Sequence, residues 1–201
     1  MRGLLVDFGG VLTTNVFESF RAFCREEGLD ADAFLDLVRH DQDTRTKLRE
    51  LETGRLSEED FGLHLGERLG VEHTEGVVER LFSRIAPDHE MVAAVRKARD
   101  AGVRTALVSN SMGSGRYDRD SFPELFDAVV ISGEVGIHKP QPEIFRLAAE
   151  RVELPPEECV FVDDLRENCE GAEAVGMTAV LHRGADRTLP ELERLLGVEL
   201  G

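Results

Sequence analysis

Five short apolar runs, separated by stretches of helical spacing, constrain this chain more than any other feature. They are Gly3–Val6, Val103–Val108, Ala128–Ile131, Cys159–Val162 and Thr178–His182. A short, nearly continuous apolar run reads as a strand buried on both faces, as in a parallel sheet. Before, between and after the last four runs the apolar residues recur at three- and four-residue steps. Val92, Val95 and Ala98 follow Asp88, Pro142 to Val152 reads as a helix, Asn168 to Val175 as another, and Leu189, Leu192, Leu195 and Leu196 close the chain. Strands alternating with helices predict an α/β fold: a parallel sheet with helices on both faces.

The interval from Val16 to Pro87 behaves differently, because it contains helical spacing and no convincing strand. Phe17, Phe20, Cys24, Leu35 and Val38 begin the pattern, with Gly28 suited to a helix stop. Leu48 and Leu51 continue it, and Gly54 ends it. Ser57-Glu58-Glu59-Asp60 has the form of a capping box opening a helix that carries Phe61, Leu65 and Leu69. Val77, Val78, Leu81, Phe82 and Ile85 suggest one more. The expected organisation is an α/β core from residues 1–15 and 87–201 and an all-helical domain, residues 16–86, inserted after the first strand.

Charge narrows the partners. Forty acidic residues against 24 basic ones leave a net charge of −16 over 201 residues. That excess disfavours nucleic acid and anionic membranes, and it obliges an anionic substrate to find a local positive site. No apolar run approaches the ~18 residues of a membrane span. Asp7 interrupts the N-terminal run too early for a secretion signal. Three cysteines, Cys24, Cys159 and Cys169, have neither metal-ligand spacing nor an even count. A reduced, cytoplasmic setting is the expectation, with a monomer or homodimer equally open.

Four of these runs lead into residues able to do chemistry. Gly3–Val6 ends at Asp7, Val103–Val108 at Ser109-Asn110, Ala128–Ile131 leads into a loop carrying Lys139, and Cys159–Val162 ends at Asp163-Asp164. Taken alone, Asp7-Phe8-Gly9-Gly10 fits a ligand-binding strand end and a plain glycine turn equally. In a parallel sheet, however, all the strand ends lie on one edge, where open α/β sheets bind ligands. Residues spread over more than 150 positions would then converge.

These pieces, in this order, resemble the haloacid dehalogenase superfamily, in the branch with a helical cap after the first strand. The matching segments are Asp7-Phe8-Gly9-Gly10-Val11, Val108-Ser109-Asn110, Phe126-Asp127 through Ser132-Gly133-Glu134 to Lys139-Pro140-Gln141-Pro142, and Phe161-Val162-Asp163-Asp164 with Asn168 and Gly171-Ala172. The resemblance implies a Rossmann-like core and a Mg²⁺-dependent phosphatase acting on a small phosphorylated metabolite, a sugar phosphate among the candidates. Asp7 would be the nucleophile, forming an aspartyl-phosphate. Asp7, the backbone carbonyl of Gly9 and Asp164 would ligate the metal, with Asp163 acting through water or in the outer shell. Ser109, Asn110 and Lys139 would bind the phosphate, and Lys139 would also balance charge on Asp7.

One departure matters. The family pattern places a second aspartate two residues after the nucleophile, to protonate the leaving group and then activate water. Here that position is Gly9. General acid–base help is worth ~10²–10⁴ in rate. The expectation is therefore a slow enzyme, an easier leaving group, or a replacement acid from the cap or the substrate. Two other readings stand beside the phosphatase: an impaired binding or regulatory protein, and a metal-independent 2-haloacid dehalogenase. Among the remaining polar residues, His40, Asp41 and Asp43 read as a solvated helix end, and His138 as loop surface. Arg116 and Tyr117 are candidates for the substrate entrance or a dimer contact.

Overall fold

The structure is a computed structural model that describes residues 1–113 and 117–201; Arg116 lies outside them. The chain opens with β1 (Gly3–Val6), followed by five helices: α1 (Val16–Glu26), α2 (Ala33–His40), α3 (Gln42–Glu52), α4 (Glu58–Leu69) and α5 (Val77–Leu81). Then come α6 (His89–Asp100), β2 (Arg104–Ser109), α7 (Phe122–Leu125), β3 (Ala128–Ile131) and α8 (Ser132–Val135). The chain closes with α9 (Pro142–Arg151), β4 (Cys159–Asp163), α10 (Arg166–Glu173), β5 (Thr178–Leu181) and α11 (Ala185–Leu196).

All five apolar runs form strands of one parallel sheet, in the order β3-β2-β1-β4-β5. This is an α/β, Rossmann-like arrangement. Successive side chains of a strand point to opposite faces, and the two faces have separate cores. Leu4, Val6, Leu107 and Val160 pack with Met91 and Val95 of α6 and Leu192 of α11. Leu5, Ala106, Val108 and Phe161 pack with Ile144 and Phe145 of α9 and Ala172 of α10. β1 is completely buried, because it lies at the centre with a layer of helices on each side. Burying each large apolar side chain of this kind stabilises the fold by about 1.5–3 kcal/mol. The strand order reverses between β1 and β4, the place where such sheets bind ligands.

The five helices after β1 have a core of their own, built from Phe20, Phe23 and Cys24 of α1, Phe34 of α2, Phe61 and Leu65 of α4, and Val77 and Leu81 of α5. The chain leaves and returns through two strands of backbone lying side by side. Thr13 bridges Pro87, the Thr14 N–H donates to the Ala86 carbonyl and the Asp88 N–H to that of Leu12. Ser57 caps α4, accepting from the Asp60 N–H.

Two expectations need correction, and one element was not foreseen. The spacing from Phe17 to Leu51 hides a break at Asp41, whose carboxylate accepts the Thr44 N–H and hydroxyl and so starts α3 as a new helix. The helix expected through Ile85 ends at Leu81, after which turn hydrogen bonds continue at Phe82, Ser83 and Ile85. The Ser132–Val135 turn of helix follows β3 without warning from the sequence; four residues are too few for periodicity to register. All three cysteines are buried and free.

Candidate active site

The strand ends do converge. Asp7 follows β1, its N–H held by the Val162 carbonyl of β4 at 2.9 Å. Asp163 is the last residue of β4. Lys139 reaches in from the loop between α8 and α9, and its Nζ lies 2.6 Å from Asp7 Oδ1 and 2.7 Å from Asp163 Oδ2. The lysine is 3% exposed and Asp163 is wholly buried. Asp163 is held from every side: it also accepts from the Leu165 N–H at 2.8 Å and from Asn168 Nδ2 at 3.1 Å. The ring of Phe161 lies beneath the ammonium, with its centroid 5.4 Å from Nζ.

Asp164 completes an acidic cluster. One carboxylate oxygen from each of Asp7, Asp163 and Asp164 lies within 4.8 Å of the others. Gly10 permits this approach. Its φ of +77° belongs to the left-handed region, and a Cβ there would collide with the Asp164 carboxylate. Burial pushes Asp7 up to about 7; Lys139 pulls it back, while Asp163 and Asp164 push it further up. Burial, with Asp163, pushes Asp164 up to about 6. Burial opposes the charge on Lys139 as well, but Asp163 and Asp7 outweigh it and raise its pKa. Three carboxylates thus face one ammonium, an all-oxygen donor set with surplus negative charge. That chemistry fits a hard divalent cation such as Mg²⁺.

Ser109 and Asn110 sit at the end of β2 beside Lys139, but both carry other duties. The Asn110 side chain forms a reciprocal pair with the Lys139 backbone: Nδ2 donates to its carbonyl at 3.1 Å, and Oδ1 accepts its N–H at 2.8 Å. It therefore fixes the loop that delivers the lysine. The Ser109 hydroxyl shares a hydrogen bond of 3.0 Å with the Tyr117 phenol, and the Tyr117 ring lies 4.9 Å from that of Phe8. Tyr117 is thus part of the site. Gly9 has no positive φ, and a Cβ there would meet only Val16 Cγ1, at 3.2 Å. The backbone does not demand glycine at that position.

Sequence reasoning missed Glu52, the last residue of α3. It lines the same cavity as Asp7, Ser109 and Lys139. Its pKa is pushed up to about 7, chiefly by burial, with Lys139, Arg49 and a hydrogen bond to the Asn110 side chain opposing. The turn after it is seated on the α/β core. Ser132 Oγ donates to the Glu52 carbonyl while accepting the Ser111 N–H. Gly54, at φ +71°, faces the Gly133 carbonyl so closely that a Cβ would lie 2.7 Å from that oxygen. A helix-end glutamate carries no periodic signal; only the contact between distant segments reveals it.

Two lesser candidates also find their places. Among the described residues, His40 joins no acidic cluster; the group there is Asp41, Asp43 and His64. Arg68 lies within ion-pair distance of both aspartates, and Lys47 of Asp43, so this group is balanced by its own cations. His138 turns its Nδ1 to the Lys139 carbonyl.

Residues 1–176 match the haloacid dehalogenase-like hydrolase family. The chain belongs to that family. Among curated relatives, bifunctional epoxide hydrolase 2 of Sus scrofa is 30% identical over 153 residues, which are 73% of this chain but only 27% of that protein. The chain thus spans about a quarter of that relative's length. A sesquiterpene phosphatase of Aspergillus oryzae is 26% identical over 74% of this chain and 78% of its own length. A glyceraldehyde 3-phosphate phosphatase of Methanopyrus kandleri is 32% identical over 51% of this chain and 46% of its own length. Among solved structures, a HAD-like hydrolase of Porphyromonas gingivalis matches with a TM-score of 0.73 at 26% identity, covering 98% of each chain. A HAD family enzyme of Bacteroides thetaiotaomicron, solved as a magnesium complex, matches in fold with a TM-score of 0.69 at 20% identity, over 96% of this chain and 98% of that one. Among the described residues, no helix is long and apolar enough to cross a membrane.

Proposed function

We propose that this hydrolase is a Mg²⁺-dependent phosphatase that cleaves a phosphomonoester through an aspartyl-phosphate on Asp7. The observation that carries the reading is the bridge from Lys139 to Asp7 and Asp163 on the carboxyl edge of the sheet. It sets a nucleophile and a fixed positive charge in the floor of one cavity. Phosphatases among the relatives support the same reaction class.

In this mechanism an Asp7 carboxylate oxygen attacks phosphorus. The bond from phosphorus to the ester oxygen breaks as the Asp7–phosphorus bond forms. Lys139 balances charge on the phosphoryl oxygens, and Asp163 and Asn110 hold it in position. Asp7, Asp164 and the Gly9 carbonyl would hold Mg²⁺, which when bound neutralises phosphate charge. Glu52 takes the role left vacant at Gly9. Its carboxylic acid gives a proton to the departing oxygen, and the resulting carboxylate takes one from the water that next attacks phosphorus. That attack releases phosphate and restores Asp7. A carboxyl group with a pKa near 7 is suited to both transfers. Residues 16–86 serve as a cap that covers the reaction.

The test is phosphate release from a panel of phosphomonoesters, with Mg²⁺ and with a chelator. Metal-dependent release supports the phosphatase. Chloride release from 2-haloacids in the chelator would replace it with the dehalogenase reading.

A further inference from the structure

Resting on the phosphatase reading, we propose that the preferred substrate is an amphipathic phosphomonoester, with a phosphate head at Asp7 and Lys139 and a long apolar chain in the cavity above them.

The cavity measures about 1100 Å³ and lies between the helical insert and the α/β core. Its floor is polar, formed by the acidic cluster and Lys139, and its walls are mainly apolar, with Asn15, Arg21, Arg39, His89 and Arg96 among them. Phe17, Phe20, Val38 and Leu48 line it from α1, α2 and α3, and Val92 and Phe122 from the core. Pockets of ~300–1,000 Å³ enclose a whole organic ligand, so a phosphate and a three-carbon residue would leave most of this space unfilled. The three arginines in the walls already have carboxylate partners. Arg21 is paired with Glu18 and Asp32, Arg39 with Asp36 and Arg96 with Glu124. A sugar hydroxyl against the stretch of wall formed by Phe17, Phe20, Val38 and Leu48 would give up its water without gaining a partner there. A hydrocarbon chain loses nothing there and gains from leaving water. An apolar surface that opens directly onto a phosphate-binding floor therefore selects for a molecule of matching polarity along its length.

The experiment measures kcat/KM with Mg²⁺ for ethyl, butyl, octyl and dodecyl phosphate, kept below their micelle concentrations, beside glucose 1-phosphate and p-nitrophenyl phosphate. The proposal expects kcat/KM to rise by about threefold per added methylene until the cavity is filled. Phe17→Ser and, independently, Val38→Ser are each expected to lower the preference for dodecyl over butyl phosphate by about tenfold. A flat series, or glucose 1-phosphate exceeding dodecyl phosphate, overturns the amphipathic substrate while leaving the phosphatase intact. If no ester at all is hydrolysed, the phosphatase reading fails instead, and calorimetric binding of dodecyl against butyl phosphate decides the cavity. Tighter binding of the longer chain upholds its apolar occupant, and equal affinity overturns it.

Discussion

Ser132 donates a hydrogen bond to the backbone carbonyl of Glu52, eighty residues earlier in the chain. The same hydroxyl accepts the Ser111 N–H, so one side chain joins the helical insert to the loops after β2 and β3. Ser132→Ala removes both bonds from a buried position. It is expected to lower stability by about 1–3 kcal/mol, because two buried backbone groups lose their partner. Urea denaturation of the two proteins measures this directly.

If Glu52 supplies the proton missing at Gly9, its loss should matter most where the leaving group is basic. Glu52→Gln is expected to slow hydrolysis of an alkyl phosphate by ~10²-fold or more. It should slow p-nitrophenyl phosphate, whose phenolate departs without help, far less. The basic limb of the wild-type pH–rate profile, with its apparent pKa near the 7 to which burial lifts this group, should disappear in the variant. Adding Gly9→Asp should restore part of the loss, since a Cβ at residue 9 meets only Val16 Cγ1, at 3.2 Å. Equal slowing of both substrates would count against Glu52 as the acid.

Among the described residues, Lys139 is the one cation paired with Asp7 and Asp163. Lys139→Met leaves the buried Asp7 carboxylate without its cation, while Asp163 keeps its bonds from Leu165 and Asn168, and is expected to cost about 3–5 kcal/mol of stability in a chelating buffer. The sign with pH is fixed by the chemistry: Lys139 holds the Asp7 pKa down, so without the ammonium Asp7 keeps its proton to higher pH. The penalty is then greatest at alkaline pH and shrinks as acid neutralises the cluster. Denaturant midpoints across pH 5 to 8, as the difference between wild type and variant, test this.

His182 sits buried with its Nδ1 2.9 Å from the Thr188 hydroxyl. Burial lowers its pKa from the usual 6.5, with Asp88 partly opposing. The unfolded chain therefore takes up this proton first as pH falls. The contribution of His182 to stability is complete above about 6.5 and declines below it. His182→Gln should flatten the acid side of the stability profile relative to wild type; an unchanged slope would contradict the assignment.

Much of this molecule could be read from its sequence. The five apolar runs became the five strands because a parallel strand covered on both faces needs continuous apolar residues, and little else in the chain has that pattern. Asp7, Lys139, Asp163 and Asp164 could be gathered because parallel strands share an edge. Glu52 could not, because it comes from a different core and reaches the site only through tertiary docking. Asn110 was foreseen at the site, but its grip on the Lys139 backbone was not, since sequence places a residue on an edge without saying which neighbour it faces. The size and polarity of the cavity were beyond reach for the same reason: Phe17 and Val38 look like ordinary core positions until two packed units face each other.

The account stands most directly on covalent chemistry at Asp7. The decisive measurement is rapid quenching during turnover with Mg²⁺ and the best alkyl phosphate, followed by borohydride reduction and peptide mass analysis, in parallel with the rate of Asp7→Asn. The account predicts reduction of the acyl-phosphate at residue 7 in the wild type and at least a ~10³-fold slower variant. An unmodified Asp7 throughout turnover, with Asp7→Asn still active, would contradict it.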